Sequence, residues 1–96
     1  MQAHIGWGIL GTGGISRRFA ADLVHAPGAR VVAVGSRERA RAEALAAELG
    51  APRAHVEVES LAADPAVDVV YVGTPHVRHA ADALACLRAG KAVLCE

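Results

Sequence analysis

The stretch Ile5-Gly-Trp-Gly-Ile-Leu-Gly-Thr-Gly-Gly-Ile-Ser16 decides the fold of this chain. Its first half, Ile5–Leu10, is a short apolar run that suits a buried strand, and its second half is a glycine-rich turn that leads into a helical apolar period. Strand, glycine turn and helix form the context that a dinucleotide-binding fingerprint requires. The same residues also fit a plain strand-to-helix turn, because short glycine motifs are common.

Each small residue of this turn has a physical role in the dinucleotide interpretation. Gly11 allows the tight turn, and Gly13 has no Cβ, so that a pyrophosphate can approach the backbone. Ser16 stands at the third small position, where it still lets the helix pack close to the strand. The phosphates are expected on the unpaired N–H groups at the helix N-terminus, where the helix dipole favours anions.

Strand-like runs and helical periods alternate along the rest of the chain. Val31–Val34 has no polar alternation, as expected for a strand covered on both faces. This alternation predicts an α/β fold, a doubly wound, Rossmann-like parallel sheet with strand order 3-2-1-4-5 and helices on both faces. The predicted strands are Ile5–Leu10, Arg30–Gly35, Ala54–Val58, Val67–Gly73 and Lys91–Glu96, and the predicted helices are Gly14–His25, Glu38–Leu49, Leu61–Ala63 and His76–Ala89.

Helical spacing also predicts which sides of the helices are buried. Ser60 is expected to cap the short third helix. The predicted buried faces are Ile15, Phe19 and Leu23 with Ala20 and Val24 in the first helix, and Ala80, Leu84 and Leu87 in the last.

Composition limits the classes of function. The 96 residues fit one domain, and with no net charge and a pI near 7.0 a nucleic-acid partner is not expected. No apolar run approaches the roughly 18 residues that span a bilayer, and the N-terminus has no secretion signal, so neither a membrane nor export is expected. Cys86 and Cys95 lack the spacing of a disulfide framework or a zinc site, which favours reduced thiols in the cytoplasm.

The end of the second predicted strand bears on the type of cofactor. An NAD site usually has an acidic residue here that binds the ribose 2′-OH, whereas this chain has Ser36 and Arg37. A hydroxyl and a guanidinium suit a 2′-phosphate, which favours NADP over NAD. The alternative is that Ser36 only caps the second helix and Arg37 is solvated.

Histidines and further arginines have simpler interpretations. His76 and His79 share a helix face, where they could hydrogen-bond a ribose or nicotinamide or, with Cys86, begin a metal site, but a full ligand set is absent. We assign the other histidines, His4, His25 and His55, to the surface or to loops, and Arg39 and Arg41 to a solvated face. Arg17 and Arg18 are also expected to reach water, with Arg18 near Asp22, although a bound pyrophosphate would offset their unfavourable place in the first helical turn.

Four segments make the chain resemble the N-terminal, NAD(P)-binding half of the Gfo/Idh/MocA oxidoreductase family. They are Gly8–Ser16, Ala63–Val70, Thr74-Pro75-His76 with His79, and Ala89–Glu96. The resemblance covers nearly all of the chain. The opening Trp7–Gly11 is similar to NADP-using members such as dihydrodiol and xylose dehydrogenases.

The resemblance implies a cofactor site with pyrophosphate, adenosine-ribose and nicotinamide sides. In the family the last segment continues into Glu-Lys-Pro, whose lysine handles the proton, so no catalytic residue is assigned within these 96 residues. The resemblance thus implies that residues 1–96 are the cofactor half of a longer, homo-oligomeric enzyme whose second domain binds a sugar, polyol or diol. The implied cofactor contacts are Gly11, Thr12, Gly13, Gly14, Ile15, Ser36, Arg37, Thr74, Pro75, His76, His79 and Glu96.

Three classes of function therefore remain. The first is a dehydrogenase domain in which hydride passes between a carbinol carbon and the nicotinamide. The second is a non-enzymatic redox sensor that binds NAD(P) and changes partners, and the third is a structural domain that has kept the fold and lost the ligand.

Overall fold

A computed structural model describes residues 4–95, so the predicted contact Glu96 lies outside the described residues. The chain forms a five-stranded parallel sheet in the order β3-β2-β1-β4-β5, which confirms the predicted fold class and strand order. The strands are β1 (Ile5–Leu10), β2 (Ala29–Ser36), β3 (Arg53–Val56), β4 (Val69–Val72) and β5 (Ala92–Cys95), and the helices are α1 (Gly14–Leu23), α2 (Arg39–Leu49), α3 (Val58–Ala62) and α4 (His76–Arg88).

Two hydrophobic layers cover the two faces of the sheet. On one face α1 and α2 pack around Ile9, Val34 and Tyr71 of the central strands. On the other face α3 and α4 pack around Leu10 and Val70. The predicted arrangement of helices on both faces is therefore correct, and it explains why these strands read as continuous apolar runs.

The predicted buried face of α1 is only partly correct. Ala20 and Leu23 are buried and Phe19 stacks on Tyr71 with 4.1 Å between ring centroids. Ile15 and Val24, however, are 50% and 69% exposed. Ile15 lies in the first turn of α1, and Val24 follows the last helical residue.

The predicted buried face of α4 is wrong. Leu84 and Leu87 are 48% and 54% exposed, whereas Asp82 and Cys86 are buried against the sheet. The helix can turn this side inward because the Asp82 carboxylate accepts a hydrogen bond from the Thr74 hydroxyl, which offsets the cost of burying a polar group.

The third strand and the short helix after it also differ from the prediction. Strand β3 ends at Val56 and α3 begins at Val58, so Ser60 lies inside the helix and Glu57 occupies the N-cap without a side-chain hydrogen bond. The Ser60 hydroxyl is hydrogen-bonded to His55 Nδ1 at 2.7 Å. His55 is therefore a strand residue with a largely buried side chain, and its assignment to a loop or the surface is wrong.

A buried carboxylate connects β3 to the loop before β4. Asp64 accepts hydrogen bonds from Arg53 Nη1 at 2.7 Å and from Ala66 N at 2.9 Å, and its second oxygen lies 2.8 Å from His55 Nε2. Burial raises the pKa of Asp64, but the hydrogen bonds from Ala66 and His55 and the charges of Arg53 and His55 outweigh burial and lower this pKa overall. We refer to Arg53, His55, Ser60 and Asp64 as the Asp64 cluster.

Candidate functional site

An open cleft of about 970 Å³ lies at the carboxyl ends of the parallel strands. The turns after β1, β2, β3 and β4 all contribute to its walls. Strand β1 is flanked by β2 and β4, so the chain order reverses at this point, and in open α/β sheets ligands bind in the crevice at such a reversal.

The cleft brings together every predicted contact that lies in the described residues. Nine of them come from two segments, residues 11–15 at the start of α1 and residues 74–79 at the start of α4. These segments meet in the cleft although more than fifty positions separate them in the chain. The predicted residues that line the cleft are Gly11, Thr12, Gly13, Gly14, Ile15, Ser36, Arg37, Thr74, Pro75, His76 and His79.

Gly11 makes the turn that opens the cleft. Its φ is 102°, and a Cβ at this position would lie 2.9 Å from the carbonyl oxygen of Gly73. The Gly11 N–H donates to the carbonyl oxygen of Gly35 at 2.9 Å. Both the left-handed backbone and the close neighbour therefore require glycine here.

The N-terminus of α1 opens into the cleft. Gly13 is the N-cap residue, makes no side-chain cap, and the first turn of the helix contains no acidic residue. A Cβ added at Gly13 or Gly14 would meet no protein atom within 4 Å. Among residues 4–95, the space beside Gly13 and Gly14 is therefore open, which leaves room for an anion to approach the helix N-terminus.

Ser16 fits the role expected of a small third residue. It is fully buried, and a Cβ at Gly73 would overlap its side chain. Helix α1 thus approaches the end of β4 with only a glycine opposite Ser16. Within residues 4–95, the Ser16 hydroxyl has no hydrogen-bond partner.

Arg17 connects the glycine turn to α2. Its Nε donates to the carbonyl oxygen of Thr12 at 3.2 Å, and its guanidinium forms an ion pair with Glu48. Arg18 and Asp22 are both exposed, and within residues 4–95 they form no ion pair within 4.0 Å. Arg17 therefore links the glycine turn to α2. Its position in the first turn of α1 did not predict these contacts.

Charged residues surround the β2 end of the cleft. The Ser36 hydroxyl accepts a hydrogen bond from the backbone N–H of Glu38 at 3.2 Å, and Glu38 rather than Ser36 is the N-cap residue of α2. Arg41 also lines the cleft, while 67% of its side chain is exposed, in agreement with the predicted solvated face. Arg39, in contrast, pairs with Glu43 at 3.7 Å on the outer side of α2.

A hydrogen-bonded turn forms the β4 end of the cleft. Thr74 Oγ1 donates to Asp82 Oδ2 at 2.7 Å, and Arg78 Nε lies 3.7 Å from the same oxygen. The His76 and His79 rings lie side by side with 5.0 Å between their centroids. Sequence reasoning missed Asp82 and Arg78. The one available signal was a carboxylate, Asp82, in the helix that follows Thr74.

The described residues contain no group of three or more His, Cys, Asp or Glu side chains that could hold a metal ion. Cys86, the proposed third member of such a group, is fully buried in the hydrophobic layer beneath α4. Burial, together with the nearby Asp82 charge, raises the pKa of the Cys86 thiol to about 11. A thiol must be deprotonated to bind a metal, so this residue is poorly suited as a ligand.

A family model for the Gfo/Idh/MocA oxidoreductases, described as an oxidoreductase family with an NAD-binding Rossmann fold, matches residues 5–96. The chain belongs to this family. It is 47% identical over 92 residues to trans-1,2-dihydrobenzene-1,2-diol dehydrogenase of Homo sapiens, a match that covers 94% of this chain and 28% of that protein. The chain thus spans little more than a quarter of the length of this relative.

Solved structures of a reductase and a dehydrogenase share the fold. A 3-ketoreductase from Actinomadura kijaniata, crystallised with NADP and TDP-benzene, superposes with a TM-score of 0.90 at 33% identity over 96% of this chain and 28% of that one. Myo-inositol dehydrogenase from Lactobacillus casei, crystallised with NAD(H) and myo-inositol, gives a TM-score of 0.87 at 29% identity over 96% and 28%. Structural neighbours of this domain thus include complexes with either nucleotide.

None of the helices within residues 4–95 has the length and apolar character needed to cross a membrane.

Proposed function

We propose that residues 1–96 are the NADP-preferring cofactor domain of a dehydrogenase or reductase that acts on a sugar, polyol or diol. The observation that carries this proposal is the open N-terminus of α1, where Gly13 and Gly14 line the cleft and the space beside them is free of other described protein atoms. The substrate class comes from relatives named for a dihydrodiol, an inositol and a keto compound.

The N-terminus of α1 fits the pyrophosphate of a dinucleotide. The amides after Gly13 supply donors for a diphosphate, and the missing Cβ atoms let it approach. When bound, the nicotinamide supplies the hydride chemistry, and the protein supplies orientation and electrostatics. At the β4 end, Thr74 has committed its hydroxyl proton to Asp82, so the oxygen can only accept a hydrogen bond from a ligand.

The preference for NADP rests on Ser36 and Arg37. Both line the cleft at the end of β2, where the ribose of the adenosine is expected. A guanidinium and a hydroxyl attract a phosphate, and the first acidic residue after β2, Glu38, follows Arg37. Arg37→Ala should therefore weaken NADP binding about tenfold more than NAD binding.

The proposal for the whole protein extends beyond this chain. We expect the relatives' remaining length to hold the substrate site, and we expect a homo-oligomer in the cytoplasm. The free thiols of Cys86 and Cys95 fit the reducing conditions of that compartment.

Calorimetric titration of the folded chain with NADP+ and NADPH tests the proposal. We expect binding to the wild type and a loss of at least about tenfold in affinity for Gly13→Ala, because the added methyl group occupies the predicted phosphate position. Gly13 has a φ of −75°, so alanine fits the backbone and the unfolding midpoint should not fall. If neither NADP nor NAD binds at millimolar concentration, the proposal is wrong.

A further inference from the structure

Three side chains of the Asp64 cluster form a continuous hydrogen-bonded chain outside the cofactor cleft. The Ser60 hydroxyl oxygen lies 2.7 Å from Nδ1 of His55, and Nε2 of the same ring lies 2.8 Å from Oδ2 of Asp64. None of the three residues lines the cleft. A hydroxyl, an imidazole and a carboxylate are thus joined in the order of a Ser-His-Asp triad, with the two ring nitrogens exchanged relative to the serine proteases.

The Asp64 carboxylate fixes the position of the proton on the neutral His55 ring. Arg53 Nη1 and the backbone N–H of Ala66 donate to Asp64 Oδ1 at 2.7 Å and 2.9 Å, which favours the ionised carboxylate. The second carboxylate oxygen therefore accepts a hydrogen bond from Nε2–H of His55. Nδ1 then has no proton of its own and accepts the hydrogen bond from the Ser60 O–H.

The two ends of this hydrogen-bonded chain differ in their exposure to water. The side chain of Asp64 is 1% exposed and that of His55 is 18% exposed. Ser60, in contrast, is an exposed residue of α3. The carboxylate is thus shielded, the ring is held at both nitrogens, and the serine lies at the surface. This is the arrangement in which a histidine can remove the hydroxyl proton while the serine oxygen attacks a carbonyl carbon.

We propose that Ser60 is a nucleophile that takes up an acyl group from an activated short-chain ester, with His55 as the general base. Asp64 is a positioning residue, because it holds the His55 ring in the tautomer that this reaction needs. The site lies outside the cofactor cleft, so this inference goes beyond the proposed function and does not depend on it.

The acyl transfer balances with the ester as its one co-reactant. The Ser60 oxygen attacks the carbonyl carbon of the ester and forms a new C–O bond, while its proton passes to Nδ1 of His55. The Asp64 carboxylate stabilises the imidazolium that forms. The tetrahedral intermediate then expels the alkoxide or phenoxide of the ester, which takes the proton from Nδ1. The products are an O-acyl serine and a free alcohol, and the ring returns to its starting tautomer.

The surroundings of Ser60 favour a small and neutral acyl donor. Glu57 and Glu59 are both exposed and precede Ser60 by three positions and one position, so their charges repel an anionic donor. The Arg53 guanidinium already forms an ion pair with Asp64. p-Nitrophenyl acetate is neutral, transfers only an acetyl group and has a good leaving group, which makes it a suitable probe.

Incubation of the folded chain with p-nitrophenyl acetate at pH 7 tests the proposal. Release of p-nitrophenolate gives the rate constant, and peptide mass spectrometry identifies the acetylated residues after neutral hydroxylamine has removed acetyl groups from thiols and imidazoles. Ser36 is the matched internal control, because it is partly exposed and its hydroxyl is hydrogen-bonded to the backbone N–H of Glu38 instead of a histidine.

Four variants accompany the wild type in this experiment. Ser60→Ala removes the nucleophile, His55→Gln removes the base, and Asp64→Asn removes the positioning charge. His25→Gln is the control for the loss of an exposed histidine outside the Asp64 cluster. Thermal unfolding confirms that each variant is folded at the temperature of the reaction.

We expect an acetyl group on Ser60 and none on Ser36 in the wild type, and no hydroxylamine-stable acetyl group in S60A. H55Q should slow the acetylation of Ser60 about a hundredfold, whereas H25Q should leave the rate constant within about twofold.

Asp64→Asn should slow the acetylation at least about tenfold, because an asparagine amide can donate to Nε2 and so stabilise the other tautomer. The ¹⁵N NMR spectrum of the His55 ring reports the tautomer directly. The proton should lie on Nε2 in the wild type and move toward Nδ1 in Asp64→Asn, a change that a loss of stability alone does not produce.

Three results would overturn this inference. One is equal acetylation of Ser36 and Ser60, or acetylation of neither, in the wild type. The second is an unchanged rate of Ser60 acetylation in H55Q, and the third is the same loss of rate in H25Q as in H55Q. The comparison of the two serines in the wild type needs no variant, so it decides the matter even if H55Q does not fold. NADP+ should bind S60A and wild type equally, which keeps this test separate from that of the proposed function.

Discussion

At the scale of single residues, Gly11 and Gly13 lie two positions apart, and glycine is needed at each for a different reason. Gly11 has a φ of 102° and a close backbone neighbour, whereas Gly13 has an ordinary φ and open space. We expect Gly11→Ala to lower the free energy of unfolding by about 2 kcal/mol, because alanine is strained in this conformation and its methyl group meets Gly73. Urea unfolding followed by circular dichroism measures this loss, with Gly13→Ala as control, and an unchanged midpoint for Gly11→Ala would contradict it.

Glu57 is the only non-glycine residue within the described range that has a positive φ. Its φ of 71° and ψ of 157° fall in a region that is essentially reserved for glycine. Glu57→Gly should therefore raise the free energy of unfolding by about 1 kcal/mol, after allowance for the greater freedom of glycine in the unfolded chain. Glu59→Gly, in the first turn of α3, should instead lower stability by about 1 kcal/mol. Thermal unfolding of both variants tests these two changes, and a loss of stability in Glu57→Gly would refute the prediction.

At the scale of elements, the Asp64 cluster joins the edge strand β3 to α3 and to the loop before β4. Because the pKa of Asp64 is lowered in the folded chain, its contribution to stability is present above the unfolded pKa of about 3.9 and disappears as pH falls through the folded value. Asp64→Asn should cost about 2 kcal/mol at pH 7, since Arg53, Ala66 and His55 lose a charged acceptor.

Urea unfolding of wild type and Asp64→Asn between pH 7 and about pH 2 tests this prediction. The difference in stability should stay full above the unfolded pKa of about 3.9 and shrink as the pH falls below it, through the lowered folded pKa. Asp22→Asn, which removes an exposed carboxylate, serves as the control and should follow the wild type. A constant difference between wild type and Asp64→Asn at every pH would show that the Asp64 charge does not contribute.

Apolar spacing predicted the existence of the elements well and the orientation of α4 poorly. Leu84 and Leu87 were placed inside because apolar side chains usually face the sheet. The inward side of α4 instead carries Asp82, whose burial is possible because Thr74, eight residues earlier, donates a hydrogen bond to it. Helical periodicity does not detect a satisfied carboxylate of this kind, so the face of the helix could not be read from the pattern alone.

The exposure of these leucines gives a further prediction. Leu84→Gln should change the free energy of unfolding by less than about 0.5 kcal/mol, because the side chain is half exposed and adds little to the core. Leu61→Ala, at a fully buried position of α3, should cost about 3 kcal/mol. The two variants are compared by guanidinium unfolding, and similar losses in both would mean that α4 buries Leu84 after all.

At the scale of the whole molecule, topology explains how much of the site could be predicted. The carboxyl ends of parallel strands meet at one edge, so locating the strand ends was enough to place Ser36 and Thr74 in one cleft with the glycine turn. The position of Arg41 depends on where α2 starts and how it is rotated, and a predicted start at Glu38 instead of Arg39 does not resolve this. Local motifs thus predicted the cleft, and the helix that packs beside it added Glu38 and Arg41.

The central place of β1 also has a consequence for how the nascent chain folds during synthesis. Strand β1 pairs with β2 early in the chain, but its other neighbour, β4, is made only after α2, β3 and α3. Until Val69–Val72 has left the ribosome, Ile9 and Leu10 belong to an unpaired apolar strand edge, which is a template for aggregation. A ribosome that stalls before this point would release a polypeptide that needs a chaperone, whereas one that passes it delivers a strand already enclosed on both sides.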